Sequence, residues 1–123
     1  MVTSGSKQIV LVVEDEPFIR MAAVDFISEA GFEPLEAAGA TEAIAILESR
    51  PDIRLVFTDV EMPRGIDGLK LAALIRDRWP PIEIVVTSGY MHPHPKALPE
   101  RCVFLPKPYK PEEVVEAFRR LAA

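Results

Sequence analysis

Four apolar runs in this chain each deliver a polar, chemically capable residue at their end. Ile9-Val10-Leu11-Val12-Val13 runs into Glu14-Asp15-Glu16, and Leu55-Val56-Phe57-Thr58 into Asp59. Ile82-Glu83-Ile84-Val85-Val86 delivers Thr87-Ser88-Gly89, and Cys102-Val103-Phe104-Leu105 delivers Lys107 between Pro106 and Pro108. Gathered at one point, Glu14, Asp15 and Asp59 would repel each other, and unrelieved repulsion raises carboxylate pKa values. A hard divalent cation removes the conflict, and an all-oxygen site fits magnesium, which keeps several waters and shares phosphate oxygens. Lys107 adds a positive charge for a phosphate oxygen, and the Thr87 hydroxyl adds a hydrogen bond. A carboxylate beside such groups can attack phosphorus to give an aspartyl phosphate. Asp59, flanked by the others, is the nucleophile candidate.

Bringing these residues together requires an α/β fold. Runs of this length, bounded by polar and Pro/Gly residues, read as strands covered on both faces. Between them lie helical patterns. Pro17 opens the first helix, with Ile19, Ala22, Ala23, Phe26, Ile27 and Ala30 on one face and Gly31 as the stop. Residues 32–35 form a weaker strand carrying Pro34, placed at the sheet edge. A second helix over residues 41–49 turns Ala40, Ala43, Ile44 and Leu47 inward, and Leu71, Leu74 and Ile75 mark a third. Pro111 opens the last helix, with Val114, Phe118 and Leu121 as its buried stripe. Strands alternating with helices give a doubly wound parallel sheet, and short connections favour the flavodoxin-like order 2-1-3-4-5. The first, third, fourth and fifth strands then aim their carboxyl ends at one edge, where such sheets bind ligands.

Composition narrows the function classes. The 123 residues correspond to one domain over 1–123, with its core at about residues 9–121. Fourteen basic residues against 19 acidic ones give a net charge of −5, which argues against nucleic-acid binding. No apolar stretch reaches a membrane span, and the opening residues have neither the charged nor the apolar region of a signal peptide. Cys102 is the single cysteine, so no internal disulfide exists and a reducing cytoplasm is the expected compartment. His92 and His94 alternate with prolines and lack a third nearby ligand, which reads as a solvated loop rather than a metal site.

Taken together, Val13-Glu14-Asp15, Asp59 with Met62-Pro63 and Asp67-Gly68, Thr87-Ser88-Gly89 and Phe104-Leu105-Pro106-Lys107-Pro108 resemble the receiver domain of bacterial two-component response regulators. The resemblance implies Asp59 as phosphoacceptor and Glu14 and Asp15 as the acidic pair that holds magnesium. It adds the backbone carbonyl of Glu61 as a further ligand, Thr87 and Phe104 as the switch pair, and Lys107 as the phosphate-pairing lysine. It also implies a cis bond from Lys107 to Pro108. Four features depart from the family pattern. Glu14 stands where aspartate is commoner, the loop after Met62 is one residue longer than the usual spacing, and Lys110 stands where a capping residue is usual. The fourth is residues 90–101. The family normally has its fourth helix there, but Pro93, Pro95 and Pro99 each lack the N–H that a helix interior needs. A Pro-rich loop with at most one short turn is expected.

The implied function is a phosphorylation-driven switch fed by a histidine kinase or a histidine phosphotransfer protein. Its output is expected through protein–protein binding or as a phosphate sink, and the unphosphorylated form is expected to be a monomer that turns over no substrate. Because the chain ends with its last helix, a stand-alone receiver is expected. The first alternative is a receiver excised from a hybrid histidine kinase or larger regulator. The second is an aspartyl-nucleophile phosphatase, in which Glu61, two residues after Asp59, would be the general acid.

Overall fold

The computed structural model describes residues 7–62, 66–89 and 93–122. Five parallel strands form one sheet: β1 (Ile9–Val13), β2 (Glu33–Ala37), β3 (Leu55–Asp59), β4 (Glu83–Ser88) and β5 (Cys102–Pro106). Their order is β2-β1-β3-β4-β5, as the short crossovers require. Among the described residues, four helices flank it: α1 (Pro17–Glu29), α2 (Ala40–Ser49), α3 (Gly68–Arg78) and α4 (Pro111–Ala122). Three of the four apolar runs become the central strands β1, β3 and β4, buried on both faces, while the fourth, β5, is the second edge of the sheet and is only half-buried. Every residue of β1 and β3 is buried, whereas β2, with Pro34, is a half-exposed edge strand.

Two cores result, one on each face of the sheet. Leu11, Val56, Ile84 and Val86 pack against α2 and α3 through Leu47, Leu71 and Ile75. Val10, Val12, Leu55 and Val85 pack against α1 and α4 through Ile27 and Phe118. The alternation along each strand sorts the residues between the faces.

Local chemistry sets the helix ends. The Glu16 carboxylate accepts the Ile19 amide at 2.9 Å ahead of Pro17, and Asp67 accepts the Lys70 amide at 2.9 Å. Gly31, at φ +97°, takes the left-handed turn that closes α1. At α4, Lys110 has no capping side chain of its own. Glu113 reaches back to its amide at 2.8 Å, which supplies half of a capping box.

Some expected burial is corrected. Ile19 and Ala22 are exposed, and the buried stripe of α1 is Ala23 and Ile27. The first turns of α1 lie at the carboxyl edge, where no strand remains beneath them. In α4 the buried residues are Val114, Ala117 and Phe118, with Leu121 half-buried near the helix end. Ile44 and Leu74 are likewise half-buried.

Between β4 and β5, the described residues hold only a 3-10 turn, Pro95–Ala97, so no α-helix forms in residues 93–101. Tyr90, Met91 and His92, which belong to the same expected loop, lie outside the described residues. Arg76 secures the far end of this segment, donating to the carbonyls of Glu100 at 2.7 Å, Pro80 at 2.7 Å and Arg101 at 3.2 Å. His94 accepts the Lys96 amide at 3.1 Å, consistent with a loop role.

Candidate phosphoacceptor site

Backbone pairing carries the strand ends to one place. Asp59 stands opposite Thr87 in the β3–β4 register, the Val60 amide donates to the Thr87 carbonyl at 2.9 Å, and the Lys107 amide donates to Ser88 at 2.9 Å. Glu14 donates its amide to Ala37 at 3.0 Å, and its carbonyl accepts Arg20 Nη1 at 2.9 Å. Arg20 also pairs with Glu36 at 3.1 Å, so it fastens the loop bearing the acids to β2.

Glu14, Asp15 and Asp59 each offer a carboxylate oxygen, and these oxygens lie within 4.8 Å of one another. Among the described residues this is the one carboxylate, histidine or cysteine group with that spacing. Glu14 and Asp59 are each 5% exposed, while Asp15 faces solvent. Lys107 Nζ sits 3.1 Å from Asp59 Oδ1 and 3.9 Å from Glu14 Oε1. The Thr87 hydroxyl is buried and has no hydrogen-bond partner among the described residues. A buried donor left open in this way is ready for an incoming acceptor.

Burial pushes the Glu14 carboxyl up to about 7, with the charge of Asp59 adding to it and the Glu16 amide opposing. Asp59 is also raised, first by burial, with Lys107 pulling the other way and the charges of Glu61 and Asp15 adding. The expected repulsion is therefore real but secondary. Loss of water is the larger penalty on these charges.

These groups line a cleft of about 720 Å³ together with Glu16, Ile19, Glu61, Gly89, Pro108 and Tyr109. Lys107 and Pro108 are joined by a cis bond. Phe104, half-buried on β5, packs against the α2–α3 core. The Glu61 side chain turns to β4, accepting the Ser88 hydroxyl and the Gly89 amide.

Three contributors carried no role in the sequence reading. Gly68 starts α3 against the strand end itself: a Cβ there would lie 2.1 Å from the Asp59 carbonyl oxygen. The pair Asp67-Gly68, a cap followed by the smallest residue, was the available signal. Tyr109 packs its ring edge-on to Phe57, 5.7 Å between centroids, and forms one wall of the cleft. Burial first, then the neighbouring Glu14 and Asp59, pushes its hydroxyl up to about 12. Arg20 had no signal, since one arginine on a helix reads as solvated.

A doubly wound sheet with an acidic cleft and a lysine at its carboxyl edge fits a phosphoryl-handling α/β protein. Comparison with known proteins narrows it: residues 10–119 match the family model of the response regulator receiver domain. The chain belongs to the receiver-domain family of two-component response regulators. It is 36% identical over 123 residues to the chemotaxis protein CheY of Thermotoga maritima, covering 92% of this chain and 96% of that protein. It is 34% identical over 122 residues to the sensor kinase CckA of Brucella abortus, covering 96% of this chain but 13% of the kinase. It spans 17% of the length of the Rickettsia NtrX-like regulators it matches. The crystal structure of a CckA receiver domain superposes with a TM-score of 0.79 at 33% identity, covering 94% of this chain and 99% of that one. The response regulator TrrA of Thermotoga maritima, solved in complex with Mg(2+)-BeF, gives a TM-score of 0.81 at 30% identity, over 93% of this chain and 98% of that one.

Proposed function

We propose that Asp59 accepts a phosphoryl group from a histidine kinase or histidine phosphotransfer protein, and that the phosphorylated chain signals through a protein partner or serves as a phosphate sink. The observation that carries this reading is the buried Asp59 carboxylate, 3.1 Å from Lys107 Nζ and within the acidic cluster. The donor set fits magnesium: three clustered carboxylates, two of them disfavoured as anions by burial, call for a hard cation. Glu14, Asp15 and Asp59 would hold it, with the Glu61 carbonyl as a further ligand. When bound, magnesium supplies positive charge against the oxygens of the transferring group.

The protein's own groups do the rest. An Asp59 carboxylate oxygen attacks phosphorus in line with the departing histidine nitrogen, forming an O–P bond as the N–P bond breaks. Lys107 neutralises a phosphoryl oxygen, and the Thr87 hydroxyl turns to donate to another. Phe104 then moves inward, completing the switch pair. The chain handles one phosphoryl group per cycle as a signalling switch and is not a turnover enzyme. Among the described residues no helix is long and apolar enough to cross a membrane. A cytoplasmic location is part of the same proposal, as is a single receiver domain over the whole chain.

With magnesium and acetyl phosphate, the protein should gain one acid-stable, base-labile phosphoryl group, read by intact mass. Asp59→Asn should abolish it, because an amide is neither anionic nor nucleophilic. Equal labelling of that variant would overturn the assignment.

The donor's docking face is the outer side of α1, which carries Phe18 at 78%, Met21 at 58% and Ile19 at 39% exposure, with Ile19 at the rim of the cleft. Large apolar side chains grouped beside a site mark a protein-binding surface. Phe18→Asp should slow transfer from a phosphohistidine protein by about tenfold or more, while labelling by acetyl phosphate stays unchanged. Phosphotransfer time courses with both donors check this. Equal slowing with both donors would remove the docking role.

A further inference from the structure

Glu61 leaves the chain two residues after Asp59, yet its side chain belongs to the end of β4. Oε2 accepts the Ser88 hydroxyl, and Oε1 accepts the Gly89 amide at 3.0 Å. Both donors directly follow Thr87, the residue with the open buried hydroxyl. Among the described residues no cation pairs with Glu61, since Lys107 is directed at Asp59 and Glu14. Two neutral donors therefore hold a carboxylate in the cleft that also contains Asp59.

We propose that Glu61 is a latch that holds the β4 end in its unphosphorylated arrangement and is expelled when Asp59 is phosphorylated. This rests on the reading of Asp59 as the phosphoacceptor. Phosphorylation turns the Asp59 carboxylate into an acyl phosphate with up to about two negative charges, one more than the carboxylate it replaces. Lys107 and a bound magnesium would pair with the phosphoryl oxygens, and among the described residues no cation is left to pair with Glu61. A half-buried glutamate can rotate into water, exchanging two neutral hydrogen bonds for full hydration. Ser88 and Gly89 then lose their tether to the loop after β3, and the segment after Thr87 is free to follow its hydroxyl toward the phosphoryl oxygens. The latch thus opposes activation until the phosphoryl charge is present. Glu61 acts as a positioning residue through Ser88 and Gly89.

Beryllofluoride with magnesium, titrated calorimetrically, tests this, with the Gly89 amide resonance as a second readout. Glu61→Ala should bind beryllofluoride about tenfold more tightly than the native chain. Ser88→Ala keeps the charge and loses one of the two hydrogen bonds, and should bind about threefold more tightly. In the native chain, beryllofluoride should move the Gly89 amide resonance toward its position in Glu61→Ala. Unchanged affinity in both variants overturns the latch. So does tightening in Glu61→Ala and Glu61→Gln alike with none in Ser88→Ala, which would make Glu61 a charge alone. If the native chain binds no beryllofluoride, or Asp59→Asn binds it equally, the phosphoacceptor reading fails and the latch falls with it.

Discussion

Adding one methyl group at position 68 is expected to destabilise the protein by about 2–3 kcal/mol and to slow phosphorylation of Asp59. The Cβ of Gly68→Ala would lie 2.1 Å from the Asp59 carbonyl oxygen, 2.8 Å from its carbonyl carbon and 2.9 Å from Val60 Cα. All three are backbone atoms, so no side chain can rotate away. Either α3 lifts from the sheet or the end of β3 shifts. Lifting α3 would strain the Gly68 amide bond to the Val60 carbonyl, 3.1 Å, and loosen Leu71, Ala72 and Ile75 from the core. Alanine's better helix propensity returns at most about 1 kcal/mol, and less in a first turn. Urea denaturation gives the stability, and acetyl phosphate labelling gives the rate. A midpoint equal to or above that of the native chain would show that the two segments do not meet this closely.

In metal-free protein, stability is expected to fall as the pH rises from about 5 to about 8, and magnesium is expected to reverse the fall. Burial raises the Glu14 carboxyl from 4.5 to about 7, so the folded chain holds a proton that the unfolded chain releases. The associated stabilisation is complete below the unfolded value and is lost as the pH climbs through the folded one. Moving a carboxyl that far is worth about 3 kcal/mol at most. Asp59 is shifted in the same direction, so it adds to the slope. Magnesium competes with the proton for the same oxygens, so its stabilising effect should be small near the acid end and large near the alkaline end. Thermal melts across this window, in EDTA and in magnesium chloride, measure both trends. Glu14→Gln should flatten the metal-free slope. A flat slope in the native chain, or a magnesium effect independent of pH, would contradict the site.

Much of this architecture could be read from the chain because the signals were local and redundant. Each of β1, β3, β4 and β5 is an apolar run too short for a helix, and each leads into a residue that is costly to bury without a purpose. That alone places Glu14, Asp15, Asp59, Thr87 and Lys107 at one edge once the sheet is parallel. The prolines at 93, 95 and 99 likewise exclude a helix from residues 93–101 without any tertiary information. What escaped depended on distance between separate segments. Gly68 matters because of where β3 ends, and the Glu61 side chain because β4 lies within its reach. Helical periodicity points Ile19 inward, because it gives the direction of a side chain but not where the sheet beneath it stops. Ala117 is fully enclosed, but a residue so small leaves only a weak apolar signal in the sequence.

The backbone bonds between neighbouring strand ends have a consequence for how fast different parts of the site can move. The amides of Glu14, Val60 and Lys107 are each committed to the adjacent strand or its end, to Ala37, Thr87 and Ser88 respectively. Their exchange with solvent hydrogen requires the sheet to part, an event drawn from the high end of the opening free energies of a domain. Side-chain rotation at the same positions needs no such opening and proceeds many orders of magnitude faster. The frame that presents the carboxylates and the lysine therefore persists through many turns of the switch. The message leaves the site through rotating side chains and the segments beyond the strand ends, while the sheet keeps its register.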